Sequence, residues 1–87
     1  MEFYFTTKGA TIHLYRENGL FDEDLGALSE KSRGKLKTNN FTGENFELED
    51  ISGFFSKGKR YSIKSSKGIN GIIEKKGFSG RYLFRPK

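Results

Sequence analysis

The sequence predicts a mainly β domain, or an α+β domain, built as a small antiparallel meander or half-closed barrel of five to seven strands. Apolar and polar residues alternate with period two along most of the 87-residue chain, which is the pattern of half-buried strands. Short turn sequences separate the alternating runs, and the 11 glycines suit the turns and bends of a barrel. No linker or repeat marks a second unit, so we expect residues 1–87 to form a single domain.

A hairpin is predicted from residues 2–7 and 10–16. Each run alternates, and the Lys-Gly pair at residues 8–9 supplies a turn between them. The Asn-Gly pair at residues 18–19 ends the second run, because this dipeptide favours positive φ. The side chains expected to face the core are Phe3, Phe5, Ile12 and Leu14.

One short helix or a long loop is predicted around residues 22–34. Leu25 and Leu28 lie near helical spacing. The acidic residues at 22–24 suit the positive end of a helix, and the cations that follow suit its negative end. Gly26 and Gly34 each cost a helix about 1 kcal/mol relative to alanine, which leaves the loop as the alternative.

Alternation returns after residue 45 and predicts the remaining strands. Turn sequences of hairpin length lie at residues 65–68 and 75–77. Pro86 ends the last strand, because proline cannot donate to the ladder. The apolar rows of these strands are Phe46 and Leu48, then Tyr61 and Ile63, then Ile69, Gly71 and Ile73, and finally Tyr82 and Phe84.

The net charge of +5 is the sum of an acidic amino-terminal half and a basic carboxyl-terminal half of the chain. Residues 1–50 carry six cations against ten anions, whereas residues 51–87 carry ten cations against Glu74 alone. Such asymmetry in one small domain indicates a surface that binds a polyanion, most often nucleic acid. The alternative is that the lysines only keep strand edges soluble.

A weak repeat within the basic half indicates how the cations gather. Residues 53–64 and 77–85 both read Gly, Phe, Ser, Gly and then Arg-Tyr. If these segments flank one middle strand, the two outer strands present their cations on one face. The predicted nucleic-acid-binding residues are Lys57, Lys59, Arg60, Lys64, Lys67, Lys75, Lys76, Arg81 and Arg85. Phe54, Phe55 and Phe78 are predicted to stack on unpaired bases.

These observations predict a nucleic-acid-binding module that contacts DNA or RNA mainly through phosphates. The alternative is a protein-interaction module, a small inhibitor or adaptor that docks on a larger protein through an acidic strip at residues 22–24 and 44–50 and an exposed Phe. The charge asymmetry also permits head-to-tail self-association. The amino terminus lacks a secretion signal and no apolar run is long enough to span a membrane, so a cytoplasmic protein without membrane contact is expected.

The composition argues against most catalytic chemistry. The chain has no Cys and one His, which excludes disulfide scaffolds and metal sites built on thiolates or imidazoles. No cofactor or metal is expected. The one reaction left open is metal-independent RNA cleavage, with a general base and cations that stabilise the phosphorane. The residues that would serve it are His13 with Glu47, Arg60, Tyr61, Lys64 or Arg81.

Overall fold

The computed structural model is a closed barrel of eight antiparallel strands, in which each strand pairs with its neighbours in sequence and β1 pairs with β8. It describes residues 1–40, 42–53 and 58–87. The strands are β1 (Glu2–Lys8), β2 (Thr11–Asn18), β3 (Phe21–Ser32), β4 (Lys35–Thr38), β5 (Phe46–Asp50), β6 (Arg60–Ser65), β7 (Asn70–Lys75) and β8 (Arg81–Pro86). The mainly β class is therefore confirmed, but the barrel is closed and has more strands than the predicted five to seven.

The predicted amino-terminal hairpin is β1 paired with β2. Phe3 and Leu14 point inward and are fully buried. Phe5 is half-buried and Ile12 is 52% exposed, because both lie near the end of the barrel where the β1–β2 turn leaves the interior uncovered. Gly19 has a φ of 69°, as the predicted turn after β2 requires.

The helix or long loop predicted around residues 22–34 is wrong, because β3 extends to Ser32 and a tight turn leads from it to β4 at Lys35. The pairing of β2 with β3 shifts at a bulge opposite Leu14. A bulge adds one residue to one strand, so the inward positions of β3 step from Leu25 to Leu28 instead of alternating. That step of three residues imitates helical spacing. Gly26, inside the bulge, has a φ of 116°, which glycine adopts without strain.

The core fills the middle of the barrel with side chains from seven strands. Its members are Phe3, Leu14, Leu25, Phe46, Leu48, Ile63, Ile73 and Tyr82. Phe46 and Phe84 both meet the ring of Phe3 edge to face, with centroids 6.2 and 5.9 Å away. Eight strands give an interior that side chains of this size can just fill, and the aromatic residues do so with few members. Replacement of the fully buried Phe3 by Ala is expected to cost about 3–5 kcal/mol of folding free energy.

Candidate functional site

The up-and-down topology collects four connections at one end of the barrel. Successive connections alternate between the two ends, so the described residues 8–11, 32–35, 50–53, 58–60 and 75–81 lie at the same end. We call this the basic end. Its cations are Lys8, Arg33, Lys35, Lys59, Arg60, Lys75, Lys76 and Arg81, and Lys57 belongs to the same connections in sequence. Asp50 is their only carboxylate among the described residues.

The opposite end of the barrel is balanced. It contains both termini and the connections at residues 18–21, 38–46 and 65–70. Its charged side chains are two cations, Lys67 and Lys87, and two carboxylates, Glu2 and Glu44. Counted by position in the chain, the basic end therefore carries an excess of cations, although carboxylates on the strands, Glu2 among them, form ion pairs with four of these cations.

The predicted cations divide among three places. Lys59, Arg60, Lys75, Lys76 and Arg81 belong to the basic end. Lys64 lies on the outer wall of β6, Arg85 on the outer wall of β8, and Lys67 in the turn at the opposite end. Lys57 lies outside the described residues. Strands β6, β7 and β8 do pair in sequence, so the arrangement expected from the repeat is present.

Carboxylates accompany several of these cations. Glu74 of the middle strand lies between Arg60 and Arg85, with N–O distances of 3.4 and 3.7 Å. Arg81 pairs with Glu17 and, at 3.6 Å, with Glu2. Opposite charges on neighbouring strands favour this register, so the outer wall of β6–β8 is less basic than its cations alone suggest.

Three further cations of the basic end also bind carboxylates, and one of them is Lys8, which lies 3.4 Å from Asp24. Lys76 donates to Glu2 at 2.9 Å, and this hydrogen bond is the main cause that lowers the pKa of Glu2. Lys59 lies 3.4 Å from Asp50. The pKa of Asp50 is lowered first by the backbone amide of Ser52, which donates to it at 2.8 Å, and only then by Lys59. Lys76 and Lys59 both remain largely exposed, so their ion pairs are weak and open to competition.

Three cations of the basic end have no carboxylate partner among the described residues: Arg33, Lys35 and Lys75. Arg33 and Lys35 belong to the acidic half of the sequence. The predicted binding residues, which all come from the basic half, therefore do not include them. The signal that finds them is topological. In a meander, the first, third, fifth and seventh turns share one end, so basic residues in those turns gather whatever their position along the chain.

One of the predicted stacking aromatics, Phe78, lies in a connection of the basic end. Phe78 is fully exposed in the β7–β8 connection. It lines a shallow cleft of about 430 Å³ together with Gly58, Lys59, Lys75 and Gly77. The two connections touch, because the amide of Lys75 donates to the carbonyl of Lys59 at 3.0 Å. Phe54 and Phe55 lie outside the described residues.

The acidic strip of the alternative prediction is divided by the barrel wall. Glu23 and Glu44 bind Arg16, whose guanidinium lies 5.7 Å from the centre of the Phe46 ring. Glu44 is buried and also accepts a 2.7 Å hydrogen bond from Ser65. Asp22 and Asp24 lie on the outer wall of β3, and Glu47 and Glu49 lie on the outer wall of β5. The strip therefore does not form one continuous surface.

His13 is buried on the outer wall of β2 and both of its ring nitrogens have partners. Nδ1 lies 3.0 Å from Asp24 and Nε2 lies 3.0 Å from the Thr11 hydroxyl. Burial raises the pKa of Asp24, but the hydrogen bonds from His13 and from the Gly26 amide outweigh it and lower that pKa. The other candidates for RNA cleavage are dispersed over the barrel, since Glu47, Lys64 and Arg60 lie on the outer walls of β5 and β6, Arg81 lies on that of β8, and Tyr61 points into the barrel.

Across the described parts of the chain, no three His, Asp or Glu side chains converge as metal ligands. None of the described residues belongs to a helix that has the length and apolarity to cross a membrane. Comparisons of the chain with protein-family models, with curated proteins and with solved structures found no match.

Proposed function

We propose that this chain is a nucleic-acid-binding module that holds phosphates at the basic end of its barrel. The observation that carries the proposal is the gathering of eight described cations in four neighbouring connections, three of which, Arg33, Lys35 and Lys75, have no carboxylate partner among the described residues. Lysine and arginine side chains gain affinity for nucleic acid by releasing counterions condensed on the phosphates. A cytoplasmic location is part of the same proposal.

The geometry favours single-stranded over double-stranded nucleic acid. Phe78 lies in the β7–β8 connection of the basic end, and a fully exposed aromatic side chain stacks on an unpaired base more readily than on a closed duplex. Loops at the end of a barrel also follow a flexible strand more easily than they follow a duplex groove. The expected contacts are phosphate contacts from Lys75 and Arg33, and base stacking on Phe78.

The test is a titration of a labelled thymidine oligomer at two ionic strengths. The variant pair is Arg33→Glu with Lys75→Glu, because neither cation has a carboxylate partner among the described residues. Reversal of Arg60 and Arg81 is a poorer test, since it also breaks the ion pairs with Glu74 and Glu17. The proposal expects at least about a tenfold loss of affinity and a shallower salt dependence in the variant pair.

The matched control is Lys67→Glu with Lys87→Glu at the opposite end, which changes the net charge by the same amount. This control is expected to lose much less affinity than the first pair. Equal losses in both pairs would mean that binding follows net charge alone and would remove the assignment to the basic end. An oligomer that does not bind wild-type protein at low salt would overturn the proposed function.

A further inference from the structure

Among the described residues, nothing closes the barrel interior at the basic end. Phe5, Leu28, Leu36 and Tyr61 point inward and pack against the core, yet they remain partly exposed. Ile12 is 52% exposed although Leu14, on the same face of β2, is fully buried in the core. Deeper in the barrel, Phe3 and Ile63 are fully buried. The side chains in the described part of the chain fill the middle of the barrel and leave the mouth beside the basic connections uncovered.

This mouth is a cavity of about 460 Å³, within the roughly 300–1,000 Å³ range of ligand pockets. Its walls are mainly apolar, and two aromatic rings form part of them. Phe5 and Tyr61 meet edge to face with centroids 5.7 Å apart, and the ring of Tyr82 lies behind them, 5.1 and 5.9 Å away. The residues that line it include Phe5, Ile12, Leu28, Glu30, Leu36 and Tyr61.

Of the described residues, Glu30 alone brings a charged side chain to the lining of the cavity. No cation of the described residues forms an ion pair with it. A carboxylate only accepts hydrogen bonds, so a ligand in the mouth must present hydrogen-bond donors to Glu30. The same ligand must present a flat, apolar surface to the rings of Phe5 and Tyr61. Arg33 follows Glu30 by three residues in the β3–β4 connection, so a ligand that reaches out of the mouth meets cations at once.

We propose that the mouth binds a guanine base, with Glu30 accepting hydrogen bonds from the base and the attached phosphate lying against the basic end. Guanine presents two adjacent N–H donors on its Watson–Crick edge, which match the two oxygens of a carboxylate. Adenine and cytosine present one amino group beside an acceptor, and uracil or thymine presents one N–H between two carbonyl groups, so each sets an acceptor against the carboxylate. The position of the phosphate at the basic end rests on the proposed function, whereas the binding of the base rests on the cavity alone.

The test is an NMR titration of the ¹⁵N- and ¹³C-labelled protein with guanosine, inosine, adenosine and uridine monophosphates. The guanine nucleotide is expected to shift the Tyr61, Phe5 and Leu36 signals and to bind about tenfold or more tightly than the adenine nucleotide. Inosine monophosphate, which keeps one of the two donors, should fall between them. Equal affinity for guanine and adenine, or no shift at these three residues, would overturn the inference.

The variant is Glu30→Gln, and the matched control is Glu49→Gln on the outer wall of β5. Glutamine replaces one acceptor oxygen with a donor, so the preference for guanine should disappear in Glu30→Gln and persist in Glu49→Gln. Unchanged spectra of the free variants establish that both are folded. A preference that survives Glu30→Gln would overturn the role of Glu30.

Thymidine oligomers with and without one central guanosine separate this inference from the proposed function. If both bind equally with a steep salt dependence, the polyanion function stands and the guanine site is rejected. If neither oligomer binds but guanosine monophosphate shifts the mouth signals, the base site stands and the strand-binding function is rejected. Tighter binding of the guanosine-containing oligomer than of the free nucleotide identifies a strand as the ligand, and the reverse order identifies the nucleotide.

Discussion

Arg16 and Glu44 meet inside the barrel although 28 residues separate them along the chain, with Nη2 of Arg16 3.3 Å from a carboxylate oxygen of Glu44. Both side chains are mostly shielded from water, at 18% and 9% exposure. Arg16 also binds Glu23 at 2.5 Å, and Ser65 donates to the second oxygen of Glu44. One arginine thus joins β2, β3 and the β4–β5 connection at the end of the barrel opposite the basic end.

Replacement of Arg16 by Met should lower the free energy of unfolding by about 3 kcal/mol, because it leaves the Glu44 carboxylate buried without a cation. Urea denaturation followed by circular dichroism measures the change. The double variant with Glu44→Gln should recover part of the loss, which a double-mutant cycle expresses as a coupling energy. Additive effects of the two changes would contradict the pairing.

The same cluster predicts how stability depends on pH. The hydrogen bond from Arg16 lowers the pKa of Glu23 below its ordinary value of 4.5. The stability that Glu23 contributes is therefore fully present above pH 4.5 and is lost as the pH falls through its lower folded-state pKa. Glu23→Gln should flatten the acid limb of the unfolding free energy measured between about pH 5 and pH 2. An unchanged acid limb would contradict this assignment.

Tyr4 should ionise later than an ordinary tyrosine. Burial, followed by its 2.5 Å hydrogen bond to Asp22, raises the pKa of Tyr4 from 10.0 to about 12. The stability that this shift contributes is complete below pH 10.0 and is lost as the pH rises towards 12. Asp22→Asn should lower the pKa of Tyr4, as followed by NMR of its ring. A Tyr4 ring that titrates near 10 in the wild-type protein would refute the contact.

Gly71 should resist substitution because β7 and β8 approach closely there. A Cβ on Gly71 would lie 2.2 Å from the Arg85 carbonyl oxygen and 2.8 Å from the Phe84 ring. Gly71→Ala is expected to cost about 1–3 kcal/mol or more of folding free energy, measured by urea denaturation. The control is Gly80→Ala, where a Cβ meets nothing within 4 Å. Equal stability of the two variants would mean that the strands separate without cost.

Phe78 and Phe21 offer a matched test of base stacking. Both are strongly exposed, Phe21 at 76%, but Phe78 belongs to the basic end and Phe21 to the opposite end. If the proposed function holds, Phe78→Ala should weaken oligomer binding by about 1–3 kcal/mol, and Phe21→Ala should leave it unchanged. Fluorescence anisotropy measures both. A loss of binding confined to Phe21→Ala would place the binding surface at the opposite end and contradict the proposed function.

Local pattern sufficed for the strands that alternate cleanly. Phe3 with Leu14 and Phe46 with Leu48 follow period two, and both pairs are in the core. The alternating pattern failed at β3, where a bulge between Leu25 and Leu28 changes the spacing of the inward-facing side chains from two residues to three. A bulge depends on pairing with a partner strand, so no property of residues 22–34 alone distinguishes it from a turn of helix.

The chain by itself determined the β class, the turns and the identity of most core side chains, because alternation and turn chemistry are local properties of neighbouring residues. Only the tertiary structure decided that eight strands close on themselves, that Arg33 joins Lys75 at one end, and that Arg60 and Arg85 share Glu74. These outcomes depend on which strands become neighbours, and closure of the barrel brings together charges that are far apart in sequence.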